Sequence, residues 1–272
     1  MMAREPQGHA QRASVRGALP ALSVLGLLFA GALGGALHST FSTRGAASGW
    51  STALADPRLP RAIAFTFAVT VATTVLSSLI ALALAAAIRR RPRREFLVGV
   101  PVLVPHLVLA SVAVLWLSAG GLADRLLGGL PVDLVRDSWG AGIVLVSTWK
   151  EAPFLTLLVL LAWDDAVIAR CEAAATLGAD RLAQRRHLVW PAVRTPLALG
   201  ALVAAAFVLG SFEVPLLVGP TEPAMLAVLA LQQTRVGSLD GTAVASATLL
   251  LTSLLALVPA LFVARFARRA DA

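Results

Sequence analysis

The chain has 272 residues, 58% of them hydrophobic and only 14% charged, with a formal net charge of +8. A soluble domain is nearer half apolar and a quarter charged, so this composition excludes an ordinary soluble fold and implies an all-α, polytopic bundle with the lipid bilayer as its surroundings. The positive balance does not imply nucleic acid, because all but one of the 23 basic residues are Arg and they gather between apolar runs, which is a topological pattern.

In chain order, a tail over 1–17 leads into an apolar run at 18–37. Its length, and the small residues Gly31, Gly34 and Gly35, favour a retained helix over a cleaved leader. Further spans are expected near 62–88, 96–118, 140–162, 197–219 and 241–264, about six transmembrane helices within a single membrane domain over 18–264, and a second tail follows at 265–272. The second and last runs carry no ionisable residue, whereas the fourth holds Lys150 and Glu151 and the fifth holds Glu213.

Arginine placement sets the orientation. The N-terminal tail (Arg4, Arg12, Arg16), the RRRPRR segment at 89–94, the connection 164–196 (Arg170, Arg181, Arg185, Arg186, Arg194) and the C-terminal tail (Arg265, Arg268, Arg269) all fall on one side. Only Arg44, Arg58, Arg61, Arg125, Arg136 and Arg235 fall on the other, so the positive-inside rule puts both termini in the cytoplasm of a multi-pass inner (plasma) membrane protein. The plain reading of RRRPRR is a stop signal that pins a helix end beside anionic lipid.

Catalytic constellations are missing from the sequence. A phosphate-binding loop needs Lys before Ser or Thr, but the single Lys, Lys150, precedes Glu151. No HExxH or GxSxG occurs, there is no Tyr, and His9, His38, His106 and His187 are scattered. The chain is therefore expected to be no enzyme, with no catalytic residue, no metal and no cofactor of its own. His106, in PVLVPH with no acid nearby in sequence, reads as a neutral packed histidine.

The connection 164–196 is the longest on the cytoplasmic side. Asp164 and Asp165 suit a helix start, and Ala166, Ala169, Ala173 and Leu177 fall on one helical face. Gly178 suits the stop and Asp180 the next start. Arg181, Gln184 and Arg185 then share one side, and Pro191 and Pro196 are expected to prevent a simple continuation into the fifth span. The product is a short amphipathic helix–turn–helix, suited to docking in a partner's groove.

Glu172, Ala173, Ala174, Gly178, Leu188 and Pro191 stand at the spacing EAA-x3-G-x9-[apolar]-x-x-P. With these residues the chain resembles the permeases of binding-protein-dependent ABC importers, the MetI-like inner-membrane component family. TWKEAPF at 148–154 and SFEVPLLVGP at 211–220 extend the resemblance over about 62–264, nearest the polyamine, iron(III) and thiamine branch. Trp190 departs from the pattern, where the family more often has Leu. The resemblance implies a type I importer transmembrane domain whose loop docks on an ABC ATP-binding subunit, with ATP and Mg held there. It also implies a second permease subunit, identical or homologous, and a substrate-binding protein that delivers a small solute.

Lys150, Glu151, Pro153, Ser211, Phe212, Glu213 and Pro215 are the candidates for the translocation path, since charges and proline breaks within a bilayer face the protein interior. Two alternatives stand beside this: Lys150 and Glu151 as a structural pair, and Glu213 as a packing or gate residue. An ATP-independent secondary transporter or channel would also account for six spans, but not for the spacing of EAA, Gly and Pro.

Overall fold

A computed structural model describes residues 23–24, 26–40, 48–89, 92–129, 133–234 and 239–270. Among these the chain is helical without strands. The residues 26–40 form α1, followed by α2 (Ser48–Ala55), α3 (Leu59–Ile88), α4 (Pro92–Leu103), α5 (His106–Leu117), α6 (Leu122–Leu127) and α7 (Ala141–Ala162). Then come α8 (Asp165–Thr176), α9 (Arg181–Gln184), a π turn (Arg185–Val189), α10 (Trp190–Leu209), α11 (Glu213–Val218), α12 (Leu226–Thr234) and α13 (Leu239–Ala270). Five stretches of the described residues are long and apolar enough to cross a membrane: Leu59–Ile88, His106–Leu127, Ala141–Ala162, Arg181–Leu209 and Gly241–Pro259. The tail at 1–17 and the start of the expected first span lie outside the described residues; α1 occupies the remainder of that span.

The bundle is built around α7, which packs against α3, α4, α10 and α11. α3 and α7 run side by side in the same direction: Gly140, just before α7, faces Phe65 and Val69, while Leu155 and Val159 meet Ala81 and Ala85. α10 runs the opposite way, with Val193 and Leu197 beside Val159 and Val208 beside Ile143 and Val146.

The buried stripe of α3 is small and hydroxylic: Thr66, Thr70, Thr73, Ser77, Ala81 and Ala85. Small side chains let helices approach closely in a medium that supplies no hydrophobic drive between them. Thr66 and Thr70 return their hydroxyls to the carbonyls of Ala62 and Thr66, both at 2.7 Å, so no water is required. Phe67, Val71, Val75 and Leu79 on the same helix are exposed. This inside-out distribution is what a lipid-facing helix shows.

Two expectations about continuity fail. The span expected at 96–118 is two helices, α4 and α5, broken at Val104–Pro105, where Pro105 lacks an N–H and disfavours helical geometry in the residue before it. Conversely, Pro191 and Pro196 do not interrupt the fifth span, because α9, the π turn and α10 form one stretch over Arg181–Leu209. Trp190 N–H reaches the Arg185 carbonyl, five residues back. Pro191 follows directly on this wider turn. The outer part of the span expected at 197–219 is the separate helix α11, set off by Gly210–Phe212.

A polar chain fastens the end of the bundle where α3 begins. Asp56 accepts hydrogen bonds from Arg58 N (2.9 Å), Arg58 Nη2 (2.9 Å) and Gln233 Nε2 (3.1 Å), and Gln233 Oε1 accepts from Thr248 Oγ1 at 2.8 Å. The turn before α3 is thereby tied through α12 to α13. The Arg58 hydrogen bond holds the Asp56 carboxyl below the ordinary carboxylate range, against the opposing effect of partial burial. A depressed carboxyl contributes stability above its unfolded pKa and loses it as pH falls through the folded value. Asp56→Asn is therefore expected to lower the melting temperature in detergent by about 2–4 °C at pH 6, the shift for roughly 1 kcal/mol in a chain of this size. That deficit should shrink below about pH 4; a deficit constant from pH 6 to pH 3 would contradict the ionised clasp.

Candidate functional site

The helix pair α8 and α9 is built by local capping. Asp164 Oδ1 accepts from Val167 N at 2.9 Å and starts α8, and Val167, at 2% exposure, pins its first turn to the bundle. At the other end Gly178 N–H donates to the Ala175 carbonyl (3.0 Å) and Ala179 N–H to the Ala174 carbonyl (2.9 Å). These two bonds are a Schellman closure, and they need the left-handed backbone that Gly178 supplies with φ +86°. Asp180 Oδ1 then accepts from Ala183 N at 2.8 Å and starts α9.

What this geometry presents is a rigid turn with an apolar surface. Glu172, Ala173 and Gly178 are exposed and Ala174 is half-buried. Leu177 is 88% and Leu182 72% exposed, on a part of the chain outside the membrane-crossing stretches apart from the start of Arg181–Leu209. Two nearly bare leucines beside a capped turn mark a contact surface. Leu188, half-buried, and Pro191 belong instead to the π turn and the start of α10. The face proposed from sequence, Ala166, Ala169, Ala173 and Leu177, is the exposed one; Val167 is buried and Ile168, Cys171 and Ala174 are partly so.

A second site lies at the break between α4 and α5. The Lys150 ammonium donates to the carbonyls of Pro101 (3.0 Å), Val102 (2.8 Å) and Val104. An ammonium has three donors, so all three are taken by carbonyls at the end of α4, of which that of Pro101 also accepts from Val104 N at 3.3 Å. Glu151, next on α7, has Oε1 3.8 Å from His106 Nε2, and the His106 ring lies 4.7 Å from that of Phe207. Lys150, Glu151, His106, Val104, Phe154 and Phe207 line a cavity of about 490 Å3. That volume suits a small solute.

The remaining path candidates separate. Pro153 is buried within α7, and Ser211, Phe212 and Glu213 sit at the step from α10 to α11, with Glu213 exposed and Pro215 buried. His106 packs against the Phe207 ring, as its sequence setting suggests, and the acidic neighbour that it lacks along the chain, Glu151, comes from another helix. The signal for that neighbour was a proline-broken span carrying a histidine beside a span carrying Lys150–Glu151.

Residues 95–272 match the binding-protein-dependent transport system inner membrane components. The chain belongs to that family. It is similar to the inner membrane ABC transporter permease protein YnjC of Escherichia coli (strain K12), 29% identical over 212 residues. The match covers 76% of this chain and 41% of that relative, so the chain spans about two-fifths of its length. In fold it is similar to a chain of a bacterial alginate ABC transporter in complex with alginate pentasaccharide-bound periplasmic protein, at TM-score 0.72 and 18% identity over 96% of both chains. A second structure, of a bacterial ABC transporter that imports the acidic polysaccharide alginate, gives TM-score 0.70 and 19% identity over 95% of this chain and 96% of that one. The chain is thus a MetI-like ABC transporter permease of the inner membrane, an all-helical, multi-pass protein.

The arrangement at Lys150 gives a direct expectation. Lys150→Met takes the ammonium from the Val102 and Val104 carbonyls, and one of two donors from that of Pro101, and should cost about 3–5 kcal/mol, the scale for breaking a buried charged group's contacts, seen as a melting temperature lower by roughly 10 °C. Glu151→Gln keeps the cap and should cost far less. Equal melting of the two variants would show that Lys150 does not hold the break.

Proposed function

We propose that this permease is the membrane subunit of an ATP-driven importer, and that α8, the Gly178 turn and α9 are the element through which a separate ABC ATP-binding subunit moves it. The observation that carries this reading is the capped turn itself. Glu172, Ala173, Leu177, Gly178 and Leu182 form an exposed surface that is continuous, through the π turn, with the membrane-crossing helix α10. A push on that surface is delivered to α10 as a rigid-body movement, the kind of transition that switches access to a path between two sides. ATP and Mg would be held on the partner, in keeping with a sequence that has no phosphate-binding loop.

In this reading a binding protein outside the cell delivers a small solute, and a second permease subunit, identical or homologous, completes the path. The periplasmic protein in the structurally similar alginate transporter supports such an assembly. The orientation follows from the two ends of the bundle. Arg89, Arg170, Arg181, Arg185, Arg186 and Arg194 sit at the end with the helix pair, a distribution that supports a cytoplasmic position for it and for both termini. Along the path, Glu151 and Glu213 are the side chains with charge to offer a solute, with Ser211, Phe212 and the breaks near Pro153 and Pro215 shaping the walls. Lys150, saturated by carbonyls, holds that wall in place. Two carboxylates suit a cationic solute, in line with the polyamine, iron(III) and thiamine branch.

The test separates docking from folding. Glu172→Arg reverses a charge on the exposed surface, and Gly178→Val forces a β-branched residue into left-handed backbone. Each should lower binding-protein-dependent uptake and copurification of the ATP-binding subunit by at least about tenfold, the scale of 1.4 kcal/mol at an interface. Membrane insertion should stay at the wild-type level. Solute transport by the purified chain alone in liposomes would instead establish an ATP-independent carrier or channel.

A further inference from the structure

The break between α4 and α5 sets an unpaired donor beside an unpaired acceptor. His106 opens α5, and its Nε2 is buried with no hydrogen-bond partner. It faces Oε1 of Glu151 on α7 at 3.8 Å, beyond the limit of about 3.2 Å for a hydrogen bond. Glu151 is itself buried, and among the described residues it accepts no hydrogen bond. Lys150 does not serve it, since all three ammonium donors go to the end of α4. A buried imidazole and a buried carboxylate that face each other unbonded each forfeit a hydrogen bond, and a movement of about 1 Å would supply it to both.

The other neighbour of the imidazole is Phe207, with ring centres 4.7 Å apart and planes at 32°. Phe207 belongs to α10, which runs on from the helix pair through the π turn. The imidazole therefore stands between a carboxylate of α7 and an aromatic ring of α10. Its two sides differ in attachment. α7 is tied to α4 by Lys150 and packs along α3, so Glu151 sits on the anchored side, whereas Phe207 rides on the helix that carries the docking surface. Helix shifts of about 1–2 Å at packed contacts are the usual size of switching movements, and one of that size in α10 reaches His106 through the ring contact. All three side chains line the same cavity, so a contact between His106 and Glu151 also narrows it.

We propose that His106 is a positioning residue of the transport cycle, taking turns with the solute at Glu151. With α10 as described, the carboxylate is open to the cavity. When α10 shifts, Phe207 carries the imidazole onto Glu151, Nε2–H donates to Oε1, and the carboxylate is withdrawn from the solute. The neutral tautomer with its hydrogen on Nε2 suffices, so no proton is gained or lost. The switch rests on the coupling proposed above, because α10 is the element that the helix pair drives.

The assembled transporter, the full chain with its ATP-binding subunit, is placed in nanodiscs with Cys171→Ser as background and His106→Cys/Glu151→Cys as reporter. Copper phenanthroline oxidises the pair, and the disulfide is read by peptide mass. Oxidation should be at least about tenfold faster in the complex trapped with ATP and vanadate than without nucleotide, as for a conformer that becomes dominant. Adding Phe207→Ala should remove that difference, and Ala81→Cys/Leu155→Cys across the α3–α7 contact should oxidise equally in both states. Helicity and a single elution peak show that each variant is folded. In a second measurement without the reporter, His106→Phe, which keeps a ring against Phe207, is combined with Glu151→Gln. Their effects on the melting temperature should add in the nucleotide-free complex and fall short of the sum by about 3 °C in the trapped one. Three results overturn the switch: reporter oxidation equal in the two states, a nucleotide response that survives Phe207→Ala, or additive melting in both states. With an ATP-binding subunit that copurifies and is trapped by vanadate, these results sink the switch alone; failure of that subunit to copurify sinks the coupling, and the switch with it.

Discussion

Within a bilayer every backbone N–H and C=O must be paired inside the protein, and the described bundle is organised by the places where helices stop before they have crossed. The decisive one is Val104–Pro105. Ending α4 there leaves carbonyls of its last turn open, and Lys150 answers with three donors from the central helix. A charged residue within a membrane span is thereby explained without a solute. Its neighbours follow from the same choice: with Lys150 turned to α4, Glu151 faces His106 and the cavity beside Phe207. One capping interaction fixes the break, the orientation of α7 at that level and the composition of the cavity wall.

The end of the bundle that carries α8 and α9 shows a different economy. Its turn is closed by the carbonyls of Ala174 and Ala175 and by the cap at Asp180, all within a few residues, so its shape owes little to the rest of the fold. What the fold adds is attachment. Val167 anchors α8 in a cluster with Ala81, Ala85, Leu155 and Val159, and α9 runs on into α10. A locally rigid surface on a continuous lever transmits a push better than a loop on flexible connections, which is the property that the proposed coupling requires.

How much of this was legible in the sequence follows the same division. Asp164, Gly178 and Asp180 declared the helix pair because capping is chemistry between near neighbours, and composition with arginine placement declared an all-helical bundle. Proline was the weaker guide. Pro105 separates two helices, whereas Pro191 follows a π turn without a break and Pro153 and Pro196 lie inside α7 and α10. The pairing of Lys150 with a distant helix end, and of Glu151 with His106, was beyond reach of spacing along the chain, since it depends on which helices lie side by side. Leu177 on an exposed face could be placed by periodicity, but its exposure depends on Val167 and Cys171 taking the inner side.

The π turn has one more effect. It inserts a residue into the helical count between Arg181 and Leu209, and one residue is worth about 100° of rotation about a helix axis. The helix pair therefore does not continue the angular phase of α10; it is set around the axis by that single surplus position. The direction in which the Gly178 turn faces is thus coded as a phase offset in 185–189, independent of the side chains that make contact. In that segment the number of residues carries information that their identities do not.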